Sequence, residues 1–564
     1  MAVGFVFLIL ANVTGLISPW VLKYAVDSLE TGIMPGKLLF YASLILGVAL
    51  VQGVFRFIMR RVLIGVSRHI EYLLRKDIFA HLQKLPLEFF QANPTGDIIS
   101  RATSDLNNVR MFLGPGIMHF FGTVVLLITA LIFMFSISPA LTMVSLSPLP
   151  LASAAMMYFS ARFYKRYLRA QEAYGRMSSR AQENFTGIRV VKSYVLEDDQ
   201  IESFQRQNLD YLSENLHLAR LRGLFIPAVG FLFSLSLIIV LWAGGRMIIQ
   251  GRITLGDLVA FHGFMFMLIW PLTAFGWVIN LFQRGAASGD RIKLILETVP
   301  AIRDPEEPSE AEEISGLIRF SNLDFQYPGS EEPVLQGIDM EIRAGEKVAF
   351  VGRTGSGKTT LAGLIPRLYN VERGRLTIDG IDVNDIPLSI LRGAIGFVPQ
   401  ETFLFSDTIQ ENIALGADGE EGLSIKDAAY LSGMKPDIET FPSGYDTLLG
   451  ERGITLSGGQ KQRTSLARAV IRDPRILILD DVFSSVDAQT EQSILENLSG
   501  LMTGKTTIII THRLASITDA DRIFVLEDGS IAESGSHAEL MKRGGLYAEM
   551  FRRQSIIAEL ERED

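Results

Sequence analysis

Apolar positions fall along this chain in two regimes. Six predominantly apolar stretches lie at 4–26, 38–59, 115–136, 141–161, 223–249 and 255–281. Each has about the 20 residues that cross ~30 Å of hydrocarbon as a helix. The first has no basic leader, is too long for the apolar core of a secretory signal and lacks a small-residue cleavage site, so it reads as a span. The chain begins almost inside that span, and a longer cytoplasmic leader is therefore expected in the natural protein. Two further segments, Ser67–Phe90 and Arg162–Leu221, keep apolar residues at helical spacing with few breakers. Each is predicted to form two helices that carry the neighbouring spans out of the membrane; about 30 helical residues reach roughly 45 Å. Turn chemistry sets the first tip at Asn93-Pro94-Thr95-Gly96. The charged break Glu197-Asp198-Asp199 sets the second. After a Pro- and Glu-bearing stretch at Pro300–Ser315 the period changes. KVAFV (Lys347–Val351), ILIL (Ile476–Leu479) and TTIII (Thr506–Ile510) read as short buried strands among helical segments. The expected fold is an all-α six-span transmembrane domain with long cytoplasmic helical stalks (1–300), a linker (301–316) and an α/β domain (317–564).

Charge sharpens this division. Residues 1–300 hold 27 Lys and Arg against 18 Asp and Glu, and residues 301–564 hold 26 against 44. The net charge of −9 thus averages a sparsely charged, basic part and a charge-rich, acidic one. With 48 % hydrophobic and 20 % charged residues, neither a disordered chain nor a nucleic-acid-binding tail is compatible with the composition. There is no Cys, which excludes disulfides, thiolate nucleophiles and Cys-ligated zinc or iron–sulfur clusters. Lys and Arg concentrate between spans two and three and between spans four and five. The other connections hold only Lys37, Arg246 and Arg252. The positive-inside rule then puts both stalks and both termini in the cytoplasm.

Span six carries Phe261, Phe264, Met265, Phe266, Met267, Trp270, Phe275 and Trp277, with a kink expected at Pro271. Such a face suits a loose apolar-ligand site or, equally, lipid contact. His262, Asn280 and Gln283 are the polar residues expected to face a cavity.

Candidate chemistry lies in the second part. Gly352-Arg353-Thr354-Gly355-Ser356-Gly357-Lys358-Thr359 follows the KVAFV strand and precedes an apolar helix. This is G-x-x-x-x-G-K-[ST] in its required strand–loop–helix setting. Its glycines let backbone N–H groups approach phosphate oxygens. Lys358 is expected to reach the outer phosphates and the Thr359 hydroxyl to ligate magnesium. Asp480, ending the ILIL strand, is a second magnesium ligand by position, and Asp481 stands where a carboxylate polarises an attacking water. Thr511-His512, after the TTIII strand, suits a sensor of the terminal phosphate. Ser457-Gly458-Gly459-Gln460, opening another helix, forms a second anion site.

Together with the phosphate loop, Leu456-Ser457-Gly458-Gly459-Gln460 resembles the nucleotide-binding domain of ABC transporters, over Leu317–Phe551. The resemblance implies an ABC-type ATPase that uses ATP and Mg2+. It assigns Tyr327 to adenine stacking, Thr360 to the nucleotide site, and Gln400 to magnesium and the attacking water. Glu451-Arg452-Gly453 corresponds to an exporter loop that touches the stalks, and Asp487 to a loop that crosses a dimer interface. Two such domains close head to tail, each nucleotide lying between one chain's phosphate loop and the other's signature. That accounts for two anion sites in one domain. The membrane part resembles the six-span exporter domain fused ahead of its ATPase. Phe89–Gly96 and Thr186–Tyr194 look like its stalk sequences, with tip helices that couple to the ATPase domains.

The implied partners are a second half-transporter, the lipid bilayer of a cell membrane and a hydrophobic small molecule, with no nucleic acid. The chain departs from the family at one position: most members carry Glu where Asp481 stands. This resembles the ATPase-weak subunit of heterodimeric multidrug exporters. The expected function is ATP-driven export of hydrophobic or amphipathic compounds as half of a heterodimer. The alternatives are a homodimeric lipid or peptide exporter with Asp481 as working base, and a nucleotide-gated regulator or channel.

Overall fold

A computed structural model describes the chain apart from residues 31–33, 307–308, 310–312, 418–421, 451–452 and 564. Within helices, the side chains of 149–157, 160–161, 225–226, 229, 232, 271–273, 275 and 558–563 are also outside the described set. Two compact units result: residues 1–77 with 100–293, and residues 78–99 with 294–564.

The first unit is helical. Its helices are α1 (Ala2–Glu30), α2 (Pro35–Leu82), α4 (Thr95–Ile137), α5 (Pro139–Leu146), α6 (Leu149–Thr186), α8 (Glu197–Ile249) and α9 (Leu255–Glu297), of which α2 and α9 end in the second unit and α4 begins there. The apolar stretches of α1, α2 and α4 are long enough to cross a membrane, and α8 and α9 carry shorter ones at Phe233–Ile249 and Leu255–Trp270. The 141–161 stretch is divided between α5 and α6, meeting at Ser147-Pro148. Ser138 caps α5 by accepting from the Leu141 N–H, and Pro139 follows at its first position, where a missing N–H costs nothing. Helix α4 contains two π-helical stretches, Arg101–Asp105 and Phe112–Gly116, the second around Pro115, which cannot donate to the regular ladder.

The stalk tips differ from the expected positions. The first is a short helix, α3 (Leu87–Ala92), set off by the break at residues 83–86 on one side and Asn93-Pro94 on the other. Asn93–Asp105 belongs largely to the returning helix. The second is α7 (Ile188–Ser193), between Gly187 and a break at Tyr194–Leu196, where Val195 has a left-handed φ of 54°. Glu197–Asp199 opens α8 instead of forming the tip. Acidic residues suit a helix N-terminus, and that preference outweighs their reading as a break.

The span-six aromatics divide. Phe261, Phe264 and Met265 are buried in a cluster with Leu16, Met134, Leu141 and Val240, so they form the unit's own core. Phe266, Trp270 and Trp277 are exposed. Pro271 and Phe275 lie outside the described side chains. His262 turns back onto the Leu258 carbonyl, and Asn280 accepts from Arg284. Gln283 is exposed.

The second unit contains two sheets. One is antiparallel, ordered β2-β1-β4-β5 (Leu335–Ile342, Ile318–Phe325, Leu376–Ile378, Ile381–Asp382). The other is ordered β10-β9-β3-β8-β7-β6: Ser530–Gly535, Arg522–Glu527, Lys347–Gly352, Thr506–Ile510, Ile476–Asp480 and Ile395–Val398. All neighbours there are parallel except β10 with β9. The central strands are predominantly apolar because both faces are covered. Successive residues serve two cores: Ala349, Val351, Leu477, Leu479 and Ile509 face one, and Val348, Phe350, Ile476, Ile478, Ile508 and Ile510 the other. Because β3, β8, β7 and β6 are adjacent and parallel, the loops leaving their C-terminal ends meet at one edge.

Candidate nucleotide site

Each of those four strands delivers part of the expected site. β3 ends in Gly352, at φ 150°, where a Cβ would stand 2.2 Å from the Leu526 carbonyl oxygen, so only glycine lets the loop leave the strand there. The loop passes exposed Arg353, Thr354 and Gly355, then buried Ser356 and Gly357, into α10 (Lys358–Leu364). Lys358 is buried. Its ammonium donates to the carbonyls of Gly352 and Arg353, at 3.0 and 2.8 Å, and to Ser356 Oγ at 3.2 Å. All three donors thus curl into the concavity of the loop. Burial lowers its pKa, and the neighbouring charges of Asp480 and Asp481 oppose that shift.

Asp480, at the end of β7, is 1 % exposed. One of its oxygens accepts from Thr359 Oγ1 at 3.2 Å; the other, Oδ2, is buried without a hydrogen-bond partner. Burial, with a contribution from Asp481, pushes its pKa up to about 6, against the favourable Thr359 bond. An unsatisfied buried carboxylate oxygen is costly unless something of opposite charge completes it. A hydroxyl and a carboxylate are hard oxygen donors of the kind Mg2+ takes. The two residues therefore fit a magnesium ion.

Asp481 follows in the left-handed region, φ 49°, its N–H bonded to the Ile510 carbonyl of β8 at 2.8 Å. Asp enters that region more readily than most side chains. Its carboxylate is half-buried, beside Lys358 and Asp480. His512 leaves β8 with its side chain exposed, and Gln400 is exposed two residues beyond β6. Tyr327, past the end of β1, is half-buried; its hydroxyl shares a 2.8 Å hydrogen bond with Thr360 Oγ1 in the first turn of α10. Lys358, Thr359, Thr360, Asp480, Asp481 and Tyr327 are thus gathered around one loop.

The signature is built separately. Ser457 caps α15 (Gly458–Val470) in a reciprocal box: its hydroxyl accepts from the Gln460 N–H, and the Gln460 side chain accepts from the Ser457 N–H. Ser457 and Gly458 are exposed. A Cβ on Gly459 would stand 2.8 Å from the Ser485 carbonyl oxygen, so the helix start packs directly on the loop before Asp487. Among the described residues, its hydrogen bonds run to Asp437 and to Ser484–Ser485, not to the phosphate loop. Asp487 caps α16 (Ala488–Met502) through the Thr490 N–H, which holds its carboxyl below the usual range. Of Glu451-Arg452-Gly453, the first two lie outside the described residues.

Sequence reasoning passed over four residues that organise these parts. Gln462 donates to Ser484 Oγ and accepts from the Ser485 N–H, joining the signature helix to the Asp487 loop. Glu491, buried in α16, accepts from Arg513 and Ser516 on the loop that carries His512. Gln554, in α18 (Leu546–Glu563), donates to the His512 carbonyl and accepts from the Leu514 N–H. Tyr369 stands edge-on to Tyr327, ring centroids 5.1 Å apart, and accepts a 3.0 Å bond from Gln91 of the tip helix α3. Glu491, Gln554 and Tyr369 lie in segments without a local motif and Gln462 just past the signature, so only the folded contacts single them out.

Residues 1–272 match the family model for the ABC transporter transmembrane region, and residues 335–484 match that for ABC transporters. The chain is 37 % identical over 547 residues to the probable multidrug resistance ABC transporter ATP-binding/permease protein YheI of Bacillus subtilis, covering 97 % of this chain and 93 % of that one. It is 35 % identical to the ATP-dependent lipid A-core flippase of Syntrophus aciditrophicus over 546 residues, covering 97 % and 90 %. The solved structure of a bacterial Atm1-family ABC exporter with ATP bound superposes with a TM-score of 0.81 at 30 % identity, over 98 % of this chain and 97 % of that one. The chain therefore belongs to the ABC transporter family, as a membrane-embedded half-transporter of the exporter type that works as a dimer and couples its own ATPase domain to export.

Proposed function

We propose that this chain exports hydrophobic or amphipathic compounds by alternating access, as one half of a heterodimer in which its own ATP site holds nucleotide more than it hydrolyses it. The stalks, both termini and the ATPase domain face the cytoplasm. The names of the B. subtilis and S. aciditrophicus relatives, a multidrug exporter and a lipid flippase, support the substrate class.

ATP enters with its adenine on Tyr327 and its phosphates against the backbone N–H groups of 352–360. The Lys358 ammonium exchanges the Gly352 and Arg353 carbonyls for outer-phosphate oxygens. Thr359, Asp480 and Gln400 would hold magnesium, which when bound would neutralise charge on the outer phosphates. His512 contacts the terminal phosphate, and the partner's signature closes the site. In exchange, this chain's Ser457–Gln460 helix start closes the partner's site. The second tip carries exposed Phe185, Ile188, Val190, Tyr194 and Val195, an apolar surface suited to docking on the partner's ATPase domain.

The observation that carries the asymmetric reading is Asp481. Asp is one methylene shorter than Glu and retracts the carboxylate by roughly 1.5 Å. A general base needs a hydrogen bond of ~2.6–3.2 Å to the water, and a misplacement of that order costs on the order of 100-fold. The binding contacts around it are complete, so occupancy survives while the chemical step slows. Export is tested by ATP-dependent accumulation of a hydrophobic dye in inverted vesicles carrying the assembled dimer. Uptake abolished by Lys358→Ala is expected. Dye equilibration that needs ATP binding without accumulation indicates a gated channel instead.

A further inference from the structure

A charged cavity lies in the membrane unit. Arg162, Lys165, Arg166 and Arg169 occupy positions i, i+3, i+4 and i+7 of α6, one face of the helix. His217, Arg220, Leu221 and Leu224 repeat the same spacing on α8. The two faces enclose a cavity of about 460 Å³ lined by these eight residues. Glu214, which pairs with Arg166 at 3.4 Å, is the only carboxylate in an ion pair with this set among the described residues. Arg162 also lies over the Tyr158 ring, 4.2 Å from its centroid. A count of cytoplasmic positive charges fixes topology without requiring that they converge. Here five Arg and Lys converge on one cavity, at the level where the 141–161 stretch ends and the 223–249 stretch begins. Leu221 and Leu224 supply an apolar wall towards the membrane end. With a cationic wall from α6 and Arg220 and an apolar wall from Leu221 and Leu224 of α8, the cavity matches an amphiphile with an anionic head.

We propose that this cavity binds the phosphate headgroup of an anionic phospholipid resident in the cytoplasmic leaflet. Charge complementarity selects the occupant: a phosphodiester accepts hydrogen bonds from several guanidinium groups, and its chains continue along the apolar wall. The proposal rests on the cytoplasmic orientation stated under Proposed function, but not on the export reading. Loss of dye accumulation with lipid binding intact would count against export alone.

The test uses the full chain purified as its dimer, with bound lipid counted by native mass spectrometry. Dioleoyl phosphatidylglycerol and dioleoyl phosphatidylcholine are the probes. Phosphatidylglycerol is expected to bind more tightly. The combined variant Arg162→Gln, Lys165→Gln and Arg169→Gln, which keeps helix propensity, is expected to weaken its binding on the order of 100-fold, at about fivefold per removed cation. Phosphatidylcholine binding is expected to stay unchanged. A control with Arg176→Gln, Arg189→Gln and Arg206→Gln, farther along the stalks, is expected to retain phosphatidylglycerol. Equal loss in the control means bulk charge and overturns the site, as does an unaffected triple variant. Displacement by millimolar inorganic phosphate overturns the lipid assignment, and loss of the lipid to the opposite leaflet during ATP turnover makes it cargo. Dimer yield and ATP binding of the triple variant report its folding independently. If it does not assemble, Arg162→Gln with Arg169→Gln alone is expected to weaken binding about 25-fold.

Discussion

At Asp480 the structure makes a quantitative statement about protons and magnesium. Its carboxyl is pushed up to about 6, chiefly by burial, while an unfolded chain would titrate it near 3.8. The folded pKa is the higher one. This group's contribution to stability is therefore fully present below the unfolded value and is lost as pH rises through about 6. Magnesium reverses that loss, because it takes the carboxylate form, so metal binding releases a proton at acidic pH. MgATP affinity of the full chain is expected to fall about fivefold between pH 6 and pH 5 more than the affinity for ATP in EDTA, and Asp480→Asn is expected to remove that difference. Equal pH slopes with and without magnesium would remove Asp480 from the ligand set. Lys358→Ala deletes a charged donor and is expected to weaken ATP binding about 10- to 100-fold. Labelled-ATP titration checks this. The same titration on Tyr327→Ala is expected to show the loss of one stacked base, worth ~1–3 kcal/mol.

At the scale of elements, the site hangs on four parallel strands and is steadied by helices that contain no motif. The strands were legible from the sequence. KVAFV, ILIL and TTIII are short, mostly apolar runs, each leading into a residue of evident chemistry, and parallel packing brings those ends together. The steadying contacts were not legible, since hydrogen bonds such as Gln554 to His512 link residues far apart in sequence and leave no periodic trace. Gln554→Leu removes the acceptor of the Leu514 N–H. Hydrogen exchange at Leu514 is expected to rise about fivefold, the effect of one net hydrogen bond. Unchanged exchange would mean that the clamp is absent in solution. The stalk tips were legible as helical hairpins but displaced. Turn residues at Asn93–Gly96 and acidic residues at Glu197–Asp199 drew the expected tips onto segments that begin the returning helices. The actual tips, Leu87–Ala92 and Ile188–Ser193, are too short for periodicity to resolve. Since α3 reaches Tyr369 through Gln91, cysteines introduced as Gln91→Cys and Tyr369→Cys are expected to crosslink through a bifunctional thiol reagent, which replaces the reach of the two long side chains, in this otherwise Cys-free chain. Failure of that pair to crosslink, with both single variants reactive, would reject the docking of the first tip.

On the scale of the whole molecule, the membrane part was read from charge and hydropathy alone, while the inner packing of span six was not. Phe261 and Phe264 read as cavity or lipid residues in sequence because a single helix cannot reveal which neighbours cover it, and the fold buries them. The dimer leaves a signal within one chain: a complete phosphate loop and a complete, exposed signature that do not hydrogen-bond to each other among the described residues. In the proposed heterodimer these two halves serve different ATP sites, one slow and one fast. In that heterodimer Asp481→Asn would alter only this chain's slow site, and Ser457→Arg would block the partner's fast site while leaving this chain's phosphate loop intact. The most direct test is steady-state phosphate release from the purified complex of this chain with its natural partner. The account predicts that Asp481→Asn keeps most of the activity and Ser457→Arg loses most of it; equal inactivation by both would make Asp481 a working base and contradict the asymmetry.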